Sequence, residues 1–184
     1  MLATIVQVKL HLGVSVSTYD AVLTQILTQI DAHIKKMIGR TVDDTDYEDE
    51  IYDGDVEYIQ LKDYPLSLIG FTFEYNAGDS ETEDWTTVPR TDYELYYDTG
   101  VIAMNSIYTG RRVLRTSYTA GYADADIPAD LQMLAVRLTA KIYNKRKSEG
   151  TSNESLENVS FGWNDLMSPE DKMVVDNHTL KFFV

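Results

Sequence analysis

Three observations predict an α+β fold. Apolar residues recur at three- and four-residue steps over 18–39 and again over 131–142. Between those stretches, over 56–118, the period falls to two, in short runs separated by turn residues. The β-patterned stretch is thus flanked by two amphipathic helices that must bury their stripes, and pairing them with each other is the simplest solution. The predicted architecture is a small helical bundle, with two long amphipathic helices plus short terminal helices, made by residues 1–42 and 119–184. An acidic linker and an inserted antiparallel β-sheet or barrel-like unit occupy 43–118.

The elements follow in order. Residues 4–12 fit a short helix with Thr4 as N-cap and Ile5, Val8 and Leu12 on one face, although the same run alternates well enough for a strand; Gly13 ends it either way. Over 18–39, Ser17 or Thr18 caps a helix whose stripe is Leu23, Ile26, Leu27, Ile30, Ile34, Met37 and Ile38. Asp20 sits in its first turn, Lys35, Lys36 and Arg40 gather at its end, and Gly39 terminates it, all as the helix dipole favours. Residues 43–50 read Asp-Asp-Thr-Asp-Tyr-Glu-Asp-Glu and carry too little apolar surface to order themselves, so a linker is expected.

Alternation then places strands around Val56, Tyr58 and Gln60, and through Ile69, Phe71, Phe73 and Tyr75, with the turn residues Asn76, Ala77, Gly78 and Asp79 after them. Further strands are expected at 85–88, 93–97, 101–107 and 112–118, with turns at 98–100 and 109–110. Pro128 suits the first position of the next helix, whose stripe is Leu131, Leu134, Ala135, Leu138 and Ile142. Arg137, Lys141, Lys145, Arg146 and Lys147 make its other face and C-terminal end basic, and Gly150 stops it. Residues 151–164 are loop-like. Ser168, Pro169, Glu170 and Asp171 are a compact helix start, and the chain closes on the apolar run from Leu180 to Val184.

Composition narrows the function. The chain has 184 residues, 43% hydrophobic and 25% charged, and no cysteine. A chain this long buries roughly 70% of its unfolded surface and needs no staple. Absence of cysteine excludes disulfide scaffolds, cysteine zinc sites, thiol catalysis and iron–sulfur clusters. No apolar run approaches the roughly 20 residues that span a bilayer, and the first residues lack the basic start of a secretory signal, so none is expected. Thirty acidic against sixteen basic residues give −14, which argues against general nucleic-acid binding and against an anionic membrane surface. The charge is uneven: residues 43–100 hold 18 acidic residues and only Lys62 and Arg90, a net of −16, against +2 for the remainder, with 12 acidic and 14 basic.

No catalytic, metal-binding or cofactor-binding residues emerge. His11, His33 and His178 have no triad or metal-ligand spacing. The acidic runs at 43–46 and 53–55 invite a calcium reading, but no window supplies the EF-hand spacing. Tyr58, Tyr64, Tyr75, Tyr93, Tyr96, Tyr97 and Tyr108 could form a sugar-stacking face, yet tyrosine at alternating strand positions is ordinary sheet composition. There is no phosphate loop and no G-x-G-x-x-G. The residue chemistry alone points to a binding or structural protein.

Motif order says more. Tyr118, Gly121 and Tyr122 end a predicted strand; Asp126, Ile127, Pro128, Asp130 and Leu131 open a helix continued by Leu134, Ala135, Leu138, Ala140 and Tyr143; a basic end, Lys145, Arg146 and Lys147, leads into a Ser-rich loop with Val159, Ser160 and Phe161. Leu12-Gly13, Ile38-Gly39-Arg40, Tyr64-Pro65-Leu66, Asp92-Tyr93 and Gly100-Val101-Ile102 fall in matching order. This arrangement resembles the tailed-phage head–tail connector (head-completion adaptor) family, in its longer members with a β insertion. The resemblance implies a non-catalytic virion protein at the head–tail junction, assembled in the host cytoplasm. It implies a homo-oligomeric, dodecameric ring under the portal protein that extends the DNA channel and offers a platform to a head-closure or tail-completion protein, with genomic DNA passing without sequence-specific binding. From the residues themselves, no cofactor and no membrane partner are expected. The candidate ring and portal contacts are Arg137, Lys141, Lys145, Arg146, Leu180, Phe182 and Phe183. Readings from other classes are an acidic DNA-mimic inhibitor and a non-catalytic β module that binds sugar or calcium.

Overall fold

The computed structural model describes residues 1–78, 82–149 and 166–179, the last four of the middle span by their backbone. The fold is α+β, with two compact units among the described residues: a helical unit of residues 1–40 and 126–179, and a β unit of residues 41–125.

The helical unit opens with α1 (Ile5–Leu12), and the helical alternative for this run is the one adopted. Thr4 caps it, its hydroxyl accepting from the Gln7 N–H while the Gln7 side chain accepts from the Thr4 N–H at 2.7 Å. Gly13 ends it at φ +67°. A 3-10 turn over Ser17–Tyr19 leads into α2 (Asp20–Ile38), so neither Ser17 nor Thr18 caps it with a side chain. The α2 stripe is buried at Leu23, Ile26, Leu27, Ile30, Ile34 and Ile38, and packs on α3 (Ala129–Glu149). Helix α4 (Pro169–His178) starts as its sequence predicts, with Ser168 as cap and Pro169 in the first turn, and rests on both α2 and α3.

Helix α3 departs from the simple amphipathic picture. Leu131, Leu134, Ala135, Val136, Leu138, Thr139, Ala140 and Tyr143 are all buried, which is more than one stripe, because α1, α2 and α4 each pack against it. It is a central helix rather than a surface one.

In the β unit, β1 (Thr45–Tyr52), β7 (Leu114–Ala120), β3 (Thr72–Asn76) and β4 (Trp85–Thr87) form an antiparallel sheet in that order. A second antiparallel sheet has the order β2 (Tyr58–Gln60), β6 (Val101–Met104) and β5 (Tyr93–Tyr96). The sheets are open; the barrel alternative is not adopted by the described residues. Both contribute to one core of Ile59, Leu61, Phe73, Tyr93, Leu95, Ile102 and Leu114. Phe73 of β3 meets Tyr93 of β5 edge to face, centroids 5.1 Å apart, and so ties one sheet to the other.

Two expectations need correction. Residues 43–50 are not a linker: most of them form β1, an edge strand paired with β7 and bulged between Tyr47 and Glu50. Three of its four carboxylates are engaged. Thr119 donates to Asp46 at 2.6 Å, Arg115 reaches Asp49 at 3.4 Å, and Glu50 turns inward. Ile69 is not in a strand either. The Ser67 N–H is drawn to the Thr119 carbonyl at 2.8 Å, the chain then leaves the sheet, and Leu68 and Ile69 stand exposed before β3 begins at Thr72. Among the described residues no helix is long and apolar enough to cross a membrane.

Candidate functional site

The motif residues are structural, and each has a mechanical reason. Tyr118 is buried under the four-stranded sheet, its ring stacked on Tyr47 with centroids 5.0 Å apart. Its hydroxyl donates to Glu50 Oε2 at 2.8 Å and accepts from the Lys62 N–H at 3.1 Å. Tyr52 donates to the same Glu50 oxygen at 2.8 Å, and the Lys62 ammonium closes on the other one. Burial, reinforced by the bond to Glu50, pushes the hydroxyls of both Tyr52 and Tyr118 well above the usual tyrosine range. Both are therefore fixed donors at any physiological pH. Tyr118→Phe leaves the Lys62 N–H and one Glu50 acceptor position unmade in a closed site; chemical denaturation is expected to show a loss of about 2 kcal/mol, and an unchanged midpoint would show the network to be idle.

Gly121 sits at φ +108°, where a Cβ would stand 2.2 Å from the Asp43 carbonyl oxygen. That approach lets the two ends of the β unit run side by side: the Tyr122 N–H bonds the Val42 carbonyl at 2.7 Å, and the Asp44 N–H bonds the Tyr122 carbonyl at 3.0 Å. Beneath this stem lies Asp63, fully buried. Its Oδ2 accepts from the Thr41 hydroxyl at 2.8 Å and the Val42 N–H at 3.1 Å, and its Oδ1 from the Tyr64 N–H at 2.8 Å. In the helical unit, Ile127 is buried, and its carbonyl accepts from the Gln132 side chain at 2.8 Å; Gln132 also bonds the Pro128 carbonyl through its N–H, so Ile127-Pro128 is locked onto the first turn of α3. Leu131 is completely buried.

The candidate contact residues divide into three groups. Arg137 and Lys141 converge on Asp171 of α4, whose side chain is 1% exposed. The Arg137 guanidinium binds Oδ1, and the Lys141 ammonium lies 3.0 Å from Oδ2. Lys141 also donates to the Leu166 carbonyl at 2.9 Å. Burial alone would push the Asp171 carboxyl up, but the Ser168 N–H and hydroxyl, Lys141 and the Arg137 charge outweigh it and hold the group below the usual carboxylate range. The basic face read from the sequence is thus partly covered by α4. Lys145 is exposed. The Arg146 side chain, Leu180, Phe182 and Phe183 lie outside the described residues, as do the loop motifs at 155–161.

Sequence reasoning missed four buried carboxylates, Asp31, Glu50, Asp63 and Asp171. Only Asp171 carried a signal, as the third residue after the capping Ser168. Chemically, these groups are saturated by hydrogen bonds and cations, as structural carboxylates are. Tyr108 is similar: burial and its 2.8 Å bond to Asp92 push it up to about 12. Among the described residues no group of three His, Asp or Glu side chains stands close enough to hold a metal ion.

A chain in the neck of an empty GTA particle, a structure computed with C6 symmetry, aligns with 93% of this chain and 84% of its own length, at a TM-score of 0.56 and 14% identity. The fold is shared with a chain of a particle neck. A second match, to a chain from the virion of a native gene transfer agent (GTA) particle, covers 92% of this chain and 82% of that one, at a TM-score of 0.54 and 15% identity. No protein-family model and no curated protein sequence matches the chain.

Proposed function

We propose that this chain is a structural protein of a phage-like particle, a head–tail connector that forms a ring beneath the portal vertex, extends the DNA channel and offers a platform to a head-closure or tail-completion protein. The observation that carries this reading is the fold shared along nearly the whole chain with a component of a symmetric particle neck. The motif order supports it independently. The buried carboxylates Glu50, Asp63 and Asp171 support a non-catalytic role, because each is engaged in holding the fold.

The acidic β unit suits a DNA conduit, since phosphates slide along a like-charged wall rather than bind it. A DNA mimic is less well supported. It requires carboxylates laid along one surface at duplex phosphate spacing, and here Arg115 lies between Asp49 and Glu74, 2.6 Å from the latter. Leu180, Phe182 and Phe183, with Lys145 and Arg146, are proposed contacts to the portal or to a neighbouring subunit. Two adjacent phenylalanines are anchors of the kind that dominate interfaces.

The test is assembly on the cognate portal. Negative-stain microscopy is expected to show rings with a central hole on portal particles, and removal of residues 180–184 is expected to abolish binding while leaving the melting curve nearly unchanged. Wild-type protein that remains monomeric and unbound at every concentration would overturn the connector reading; portal binding that survives the truncation would remove the tail from it.

A further inference from the structure

Thirteen large hydrophobic side chains are exposed among the described residues, and five of them, Met1, Val6, Leu10, Val16 and Tyr19, fall within the first nineteen positions. Val6 and Leu10 are 70% and 83% exposed and lie four residues apart, so they occupy one face of α1. The helix carrying them is firmly placed. Both its ends are capped, the Leu2 N–H bonds Asp31 at 2.6 Å, Lys9 pairs with Asp20 at 2.7 Å, and Gln7 bonds Gln132 of α3 at 2.6 Å. Polar contacts and Val8 therefore fix α1 in its unit, and the unit's own core makes no use of Val6 or Leu10. Two branched aliphatic side chains presented to water by a rigid helix have the form of an interface.

Charge indicates what covers them. Residues 41–125 contain 19 acidic and 5 basic residues, a net of −14, which is the whole charge of the chain; the rest contain 11 of each. Two β units brought together would set like charges face to face, whereas the helical segments are neutral, and no carboxylate precedes Asp20. We propose that the outward face of α1, carrying Val6 and Leu10, is a contact between subunits and that its occupant is the helical unit of a second copy. In a closed ring such a contact is heterologous, α1 of one copy meeting a different face of the next. The proposal rests on the reading of the chain as an oligomeric neck protein.

The experiment compares the full chain with a Val6→Gln/Leu10→Gln variant and with a Leu68→Gln/Ile69→Gln variant of the exposed loop in the β unit. Each is melted to confirm the fold, then followed by light scattering over a concentration series and by imaging on portal particles. Loss of both anchors is expected to weaken self-association at least about tenfold, while the loop variant assembles as the wild type does. Raising the ionic strength from about 0.1 M to about 1 M, over which the screening length falls from about 10 Å to about 3 Å, is expected to strengthen association or leave it unchanged. Assembly by the α1 variant with wild-type affinity would overturn the proposal and leave the ring reading standing, as would loss of assembly in the loop variant alone or dissolution of the complex by salt. A wild-type chain that never self-associates, alone or on the portal, would overturn both.

Discussion

Gly121→Ala is expected to be the most damaging small substitution in the β unit, lowering stability by about 3–5 kcal/mol. Two costs combine. The backbone there is at φ +108°, a region that L side chains rarely enter. The new methyl would also stand 2.2 Å from the Asp43 carbonyl oxygen and 2.7 Å from that of Val42. Those are backbone atoms held by the stem hydrogen bonds, so they cannot swing aside as the end of a flexible side chain would. Relief requires the stem to open, which exposes the buried Asp63 and its bond to the Val42 N–H. Gly13→Ala is the control. Gly13 also has a positive φ, of +67°, but a Cβ there meets nothing within 4 Å, and the expected loss is only about 1 kcal/mol. Equal melting temperatures for the two variants would show that the close approach to Asp43 carries no energy.

Asp171→Ala is expected to cost about 3 kcal/mol, because it strands Arg137 and Lys141 against α4 without their counter-charge. Arg137 keeps some access to water, which holds the figure toward the lower end of what breaking a buried pair costs. Removing both sides with Asp171→Leu/Arg137→Leu is expected to recover much of the loss, since no charge is then left uncompensated. The pH dependence separates this from lost packing. A carboxyl held below its ordinary value stabilises the fold at neutral pH, and that contribution disappears as pH falls below the ordinary carboxylate value and through the lower folded one. The wild-type protein should therefore lose stability relative to Asp171→Ala in that acidic window, the two curves converging at its lower end. A constant offset between them at every pH would refute the ionic account.

What was legible in the sequence was what neighbours in the chain decide. Thr4 with Gln7, Gly13, Gly39, and Ser168 with Pro169 are local devices, and the helix ends lie where they indicate. Alternation located β3 through β7 to within a few residues, most clearly in β5 and β7, which bury every second residue. What could not be read depends on residues far apart. An acidic octet reads as solvated until Thr119, Arg115 and Tyr118, some seventy positions on, are seen to partner Asp46, Asp49 and Glu50. Arg137 and Lys141 read as a free cationic face until α4 folds over them. Ile69 fits an alternating pattern that the pull of Thr119 on Ser67 interrupts. In each case local pattern was overridden by a contact that only the folded topology creates. The candidate contact residues were less legible than the fold for the same reason, since whether a basic side chain stays free depends on which element folds over it.

The paired backbone ends at Val42–Asp44 and Tyr122 have a consequence for the origin of the protein. About eighty residues, 43–121, lie between backbone positions joined by one hydrogen bond, so the two ends of the β unit emerge together. Anything whose two ends emerge together could take its place, from a tight turn to an unrelated domain. The β unit is in this sense a cassette. Lineages could lengthen, recharge or exchange it without redesigning the helical sequence on either side.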